Sequence, residues 1–314
     1  MQKTRPSIQR CVSGAVLAAL TLLGGCALDR SHTRSGSAVP GLVVASGTRD
    51  VGTSFEALDA KLVAAEPIGV FARIDHAANA PSELPLRPTR LVLFGNPKLG
   101  TPLMRVNQLA GIDLPQKILI YQDATEKTRV AYNGADYLAQ RYGVGNVATL
   151  PMIAAALKNF SETASGASAP TAPTVSRTDT VGRGEGLISV RSNADAATTF
   201  DRLRTAVAGN SALKVIGELD HAANATKVGL SLRPTRLLVF GNPALGTPLM
   251  RAAQTVAIDL PQKMLVYTDA ADQTFVVYND PAFIARRHGA QGESGTIAKV
   301  AAALAQLAAA AAGR

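Results

Sequence analysis

The side chains with chemistry to offer come in two matched sets. His76 follows Asp75 and stands three residues before Asn79; His221 repeats this with Asp220 and Asn224. An imidazole titrates near neutral pH and can bind a ligand or pass a proton. Arg87 and Arg90, matched by Arg233 and Arg236, offer guanidinium forks for an anionic group. Asn96 and Asn242 each precede a proline at a predicted helix start, where backbone N–H groups could hold an anion. An Asn cap followed by Pro also needs no ligand at all. These ten residues, His76, Asn79, Arg87, Arg90, Asn96, His221, Asn224, Arg233, Arg236 and Asn242, are the candidate binding set; no catalytic residue is assigned.

The set emerges from comparing the chain with itself. Residues 86–121 align without gaps to residues 232–267 with 26 identities in 36 positions, and residues 75–80 recur unchanged as 220–225. A period near 145 residues makes each copy a whole domain rather than a solenoid unit. Lys98 faces Ala244, Asn107 faces Ala253 and Arg73 faces Glu218, so none of these belongs to a site present twice. Asp113 and Lys117 do recur, as Asp259 and Lys263, and read as solvated groups on a turn and a strand end.

The elements that must position these groups follow from periodicity. In the first copy, residues 42–46 predict a strand, 54–65 a helix, 68–76 a strand and 90–94 an apolar strand. A short helical stretch then reaches about Leu109, with Thr101-Pro102 resembling a second helix start. Residues 117–122 and 128–132 form a hairpin, followed by helices over 135–142 and about 147–160. The second copy repeats this order and ends in an Ala-rich helix near residues 295–312, a domain helix rather than a membrane span. Alternation puts Val70, Ala72, Ile74 and His76 on one face and Asp75 on the other, so an adjacent Asp-His dyad is disfavoured while the strand lasts. Two readings of His76 stay open: a half-buried residue capping the core and bonding carbonyls, or one at the rim of a pocket.

Hairpins with helices between and after them imply an α+β fold, two tandem copies of an antiparallel sheet with helices on one face. The His-ended strand, the strand running into Gly95-Asn96-Pro97, the Ile112-Asp113-Leu114-Pro115 before the Lys117 strand and the Tyr132-Asn133 closing the hairpin resemble the domain of unknown function 302 family. The resemblance covers about 41–160 and 187–312. It implies a fold similar to that of the TATA-binding protein and no established activity; likeness of fold carries no DNA binding with it.

Lys3, Arg5 and Arg10, an apolar run over 12–23 and Leu23-Gly24-Gly25-Cys26 make residues 1–25 a signal peptide whose end resembles a lipobox, with Cys26 as the lipidated residue. Residues 26–40, which include His32, read as a tether and 161–186 as a flexible linker. The other cysteine, Cys11, lies in the signal, so the mature domains offer no disulfide, thiolate metal site or Cys nucleophile. One recurring His per copy is a poor metal set unless the copies pool His76 and His221, and no metal or cofactor is expected. Removing the signal leaves 29 basic against 23 acidic residues, scattered without blocks. With no Trp and only 4% aromatics, a stacking platform for nucleic acid is poorly supplied, and no nucleic-acid partner is expected.

The expected protein is a lipid-anchored envelope module facing the periplasm, on the outer membrane rather than the inner, with two intramolecular domains that bind a small or amphipathic ligand. The alternatives are an enzyme using His76 and His221 as acid or base with Arg90 and Arg236 on an anionic substrate, and a scaffold docking other envelope proteins.

Overall fold

The computed structural model describes residues 39–166 and 181–314. The expected signal, Cys26, His32 and most of the tether lie outside the described residues.

The first copy runs β1 (Leu42–Ser46), α1 (Val51–Val63), β2 (Gly69–Asp75), α2 (His76–Asn79), β3 (Thr89–Gly95), α3 (Pro97–Val106), a 3-10 segment (Gln108–Ile112), β4 (Gln116–Gln122), β5 (Thr128–Asn133), α4 (Ala135–Tyr142) and α5 (Leu150–Ser165). The second runs β6 (Leu187–Arg191), α6 (Ala196–Ala208), β7 (Lys214–Asp220), α7 (His221–Lys227), β8 (Thr235–Gly241), α8 (Pro243–Ala252), a 3-10 segment (Gln254–Ile258), β9 (Gln262–Thr268), β10 (Thr274–Asn279), α9 (Pro281–His288) and α10 (Ser294–Ala312). Each copy is an antiparallel five-stranded sheet, ordered β1-β5-β4-β3-β2 and β6-β10-β9-β8-β7. The architecture is α+β, twice.

Local chemistry sets the boundaries. Helix α1 starts three residues before its predicted position because Asp50 caps it, its carboxylate accepting from the Thr53 amide at 2.9 Å. Helix α5 runs on to Ser165, where Gly166 takes the left-handed conformation (φ 68°) that ends helices. Thr101-Pro102 starts no second helix: Pro102 lies within α3, which is continuous from its Asn96 cap. Of residues 161–186, read as linker, 161–165 complete α5. Val181 is buried, the Gly184 amide donates to the Arg141 carbonyl at 2.8 Å, and residues 167–180 lie outside the described residues.

One sheet face carries the helices. Val92, Phe94, Ile118, Ile120, Val130 and Tyr132 have as counterparts Leu238, Phe240, Met264, Val266, Val276 and Tyr278, which form one core with Phe200 and Leu203 of α6 and Leu304 and Leu307 of α10. Helix α10 is, among the described residues, the one helix long and apolar enough to cross a membrane, and it packs against α6 as α5 packs against α1. The opposite sheet face carries Leu91, Leu93, Leu119 and Ala131 in one copy and Leu237, Val239, Leu265 and Val277 in the other, and these belong to one shared core. The 3-10 segment of each copy lies on the other copy's sheet, residues 254–258 over β3, β4 and β5 and residues 108–112 over β8, β9 and β10. Both copies therefore form one compact unit, Ala38–Arg314. Each fully buried Leu at this junction contributes roughly 1.5–3 kcal/mol relative to an exposed one.

A bulge corrects the strand that carries the histidine. Val70 pairs with Phe94 but Ala72 with Leu93, so the extra residue, Phe71, turns Val70 to the helix face while Ala72 and Ile74 keep the inter-copy face. Strand β2 ends at Asp75, which caps α2 by accepting from the Ala78 amide at 2.9 Å, and His76 is the first residue of that helix.

Candidate functional site

Two kinds of polar environment lie between the copies. The first is a charged core around the pseudo-twofold. Asp113 accepts from Lys117 Nζ at 3.0 Å, Arg141 Nη1 at 2.9 Å and the Tyr142 hydroxyl at 2.6 Å. Asp259 is held by Arg287 Nη1 at 2.8 Å and His288 Nε2 at 2.9 Å, and its backbone carbonyl accepts from Lys263 at 2.9 Å. Each arginine also crosses over: Arg141 donates to Asn279 Oδ1 and Arg287 to Asn133 Oδ1, both at 2.7 Å. Burial would raise the Asp113 carboxyl, but Lys117 and Arg141 hold it well below the usual range. Burial, with Lys117 beside it, brings Lys263 down to about 7. The solvated placement expected for Asp113 and Lys117 is thus overturned: they are 2% and 4% exposed. The covering copy shuts out solvent, while the direct counter-charges on Asp113, from Lys117 and Arg141, come from its own copy.

The second environment is a pair of clefts at the helix-side ends of the two sheets, each built by both copies. One, of about 460 Å³, has walls from the β2 bulge, the β3–α3 turn, α3 and α5, and is closed by Leu219, His221, Asn224 and Lys227 of the second copy. The other, of about 100 Å³, has walls from β7, α8 and α10 and is closed by Ile74, His76 and Asn79 of the first. Two short hydrogen-bonded helix starts aim these groups: Asp75 caps α2, and Asp220 caps α7 by accepting from the Ala223 amide at 2.8 Å.

His221 is 5% exposed, and its Nε2 lies 3.2 Å from the Gly111 carbonyl in the other copy's 3-10 segment, so that nitrogen carries the proton. A Cβ on Gly111 would stand 3.4 Å from the His221 ring; the equivalent residue, facing His76, is Ala257, which has one. His76 Nε2 is buried without a hydrogen bond of ordinary geometry. Burial lowers both imidazoles to about 4, leaving them neutral near pH 7.

The ten candidate residues divide cleanly. Asn96, His221 and Asn224 meet at the larger cleft, and His76, Asn79 and Asn242 at the smaller. Asn96 and Asn242 act there as caps, accepting from the Lys98 and Ala244 amides at 3.0 and 2.9 Å. The four arginines line neither cleft. Arg87 and Arg233 bind across the copies to Gln254 and Gln108. Arg90 pairs with Asp75 at 3.0 Å over the Phe55 ring, and Arg236 lies 3.9 Å above Phe200. His76 and His221 sit in separate clefts and do not pool.

Sequence reasoning passed over Arg141 and Arg287, because a basic residue in the last turn of a short helix reads as solvated. Their recurrence at equivalent places was the available signal. It also passed over Lys227, which lies beyond the matched block and has Ser82 at the corresponding place in the first copy.

The family described as Domain of unknown function DUF302 matches residues 43–162 and 188–311. The Fluoride-specific ion channel FluC 1 of Brucella suis is 40% identical over 103 residues, 33% of this chain and 40% of that protein. FluC 2 of Brucella melitensis is 40% identical over the same length, 38% of that protein. The chain thus spans about two fifths of the curated relatives it matches. A crystal structure of an uncharacterized conserved DUF302 protein from Bacillus stearothermophilus, 17% identical, aligns with a TM-score of 0.37 over 40% of this chain and 98% of that one.

Proposed function

For a chain that belongs to the DUF302 family through both of its halves, we propose a binding function: it takes up a small apolar or amphipathic molecule in clefts that its two copies build jointly. The observation that carries this is the larger cleft. Its volume of about 460 Å³ falls in the range of roughly 300–1,000 Å³ usual for ligand pockets. Its walls are mainly apolar, with a few amide and imidazole groups converging from the other copy. Acid–base catalysis has less support, since Arg90 and Arg236, its expected anion-holding partners, are engaged by Asp75 and by Phe200 away from the clefts. The ion-channel activity named for the Brucella proteins is not carried over, because the shared segment is a minor part of those proteins. The same proposal holds the module at a membrane through a lipid on Cys26, facing the periplasm.

The test is thermal unfolding of the full chain against a panel of small apolar and amphipathic compounds, with bound species read by native mass spectrometry. A compound that raises Tm and is retained one per chain supports the reading. A panel in which none is retained and none shifts Tm overturns it.

A further inference from the structure

We propose that the larger cleft is a site for a single-chain amphiphile with an anionic head, a fatty carboxylate being the simplest case, and that its smaller counterpart is not. This rests on the binding function above and names its ligand class. The two clefts occupy equivalent places but differ in volume, in lining and in cover. Their volumes are about 460 and 100 Å³, and where the larger is lined by Gly69 the smaller has Lys214. Their covers differ as well. Helix α2 is four residues long and stops at Asn79, with Ala80 extended, whereas α7 is seven residues long and carries Lys227 and Val228 to the cleft.

Lys227 is exposed, and its Nζ has one partner, Asn224 Oδ1 at 3.4 Å. No carboxylate lies within ion-pair distance of it among the described residues. An uncompensated ammonium therefore stands at the edge of a chamber walled by Val70, Phe94, Leu99, Met104, Ile153 and Leu157. A long side chain of this kind keeps its charge in water while its stem covers apolar surface. A fatty carboxylate matches both parts: its chain takes the walls, and its head takes Lys227 Nζ.

The experiment is titration calorimetry of the full chain with three probes, dodecanoate, dodecanol and dodecyltrimethylammonium. They are repeated on Lys227→Gln and on the cleft-filling Ala156→Trp, with Ala303→Trp as the equivalent filling of the smaller cleft. The expected result is one tight dodecanoate site, weakened roughly twofold to fivefold by Lys227→Gln, as suits an exposed ion pair. Ala156→Trp abolishes it and Ala303→Trp leaves it unchanged. Dodecanol bound as tightly as dodecanoate and indifferent to Lys227→Gln overturns the anionic head while leaving apolar ligand binding intact. Binding lost in Ala303→Trp rather than Ala156→Trp overturns the assignment to the larger cleft. Failure of all three probes on the unsubstituted chain overturns the amphiphile, and together with a blank compound panel it overturns the binding function.

Discussion

Stability at mildly acidic pH should hinge on His76 and His221. Each is packed against the other copy's 3-10 segment and has its imidazole lowered by burial from 6.5 to about 4. Between these values the unfolded chain binds protons that the folded chain refuses, so stability falls as pH drops from about 6.5 to 4. Each histidine accounts for roughly 3 kcal/mol across that window, and the pair for about 6. Against a typical total of about 5–15 kcal/mol this is enough to unfold a marginal protein. Asp113 and Asp259 are held below the ordinary carboxylate range and weigh in mainly at lower pH, while His288, lowered by burial against the pull of Asp259, adds a slope of the same sign as the other two histidines. The assay is urea unfolding at half-unit steps from pH 4 to 7.5, followed by far-UV circular dichroism because the chain has no Trp. The double variant His76→Gln, His221→Gln should show a much flatter curve than the parent, whatever its absolute stability. Parallel curves for the two proteins would refute the claim that these imidazoles are buried and neutral.

Three further outcomes follow from the same geometry. Arg287→Met leaves Asp259 with a lost partner inside the shared core and should cost about 3–5 kcal/mol in urea unfolding; an unchanged midpoint would mean that the charged core is solvated. A Cβ on Gly217 would stand 2.7 Å from Phe71 Cζ of the other copy, so Gly217→Val should lower stability by about 1–3 kcal/mol, with Phe71→Ala in the same chain relieving part of the loss; no relief would mean the two strands do not meet there. Cys26→Ser should abolish labelling by radioactive palmitate and release the protein from the membrane fraction, and retained label would overturn Cys26 as the lipidated residue.

Much of the fold could be read along the chain. Alternation located the strands, α4 ends at Tyr142 as read along the chain, with Gly143 left-handed after it, and Asn96 before Pro97 marked the start of α3. These are local effects, set by backbone conformation and by hydrogen bonds a few residues away. The candidate site was half legible, because recurrence in both copies picks out residues held by the shared geometry: His76, Asn79, Asn96 and their counterparts reach the clefts. The same filter hides what one copy has alone, so Lys227 escaped it.

The sequence by itself determined that there are two copies, what elements each contains and which polar residues both retain. Only the tertiary structure decided that the copies share one core, with the second sheet face of each covered by the other. The physical reason is that solvent exposure is a property of the neighbours. Asp113 and Lys117 carry the same charges on a surface as in a core, and nothing near them in the chain announces that Asp259, Lys263, Arg287 and His288 will close over them. The bulge at Phe71 is of the same kind: alternation along β2 predicts one face, and pairing with β3 turns Val70 to the other.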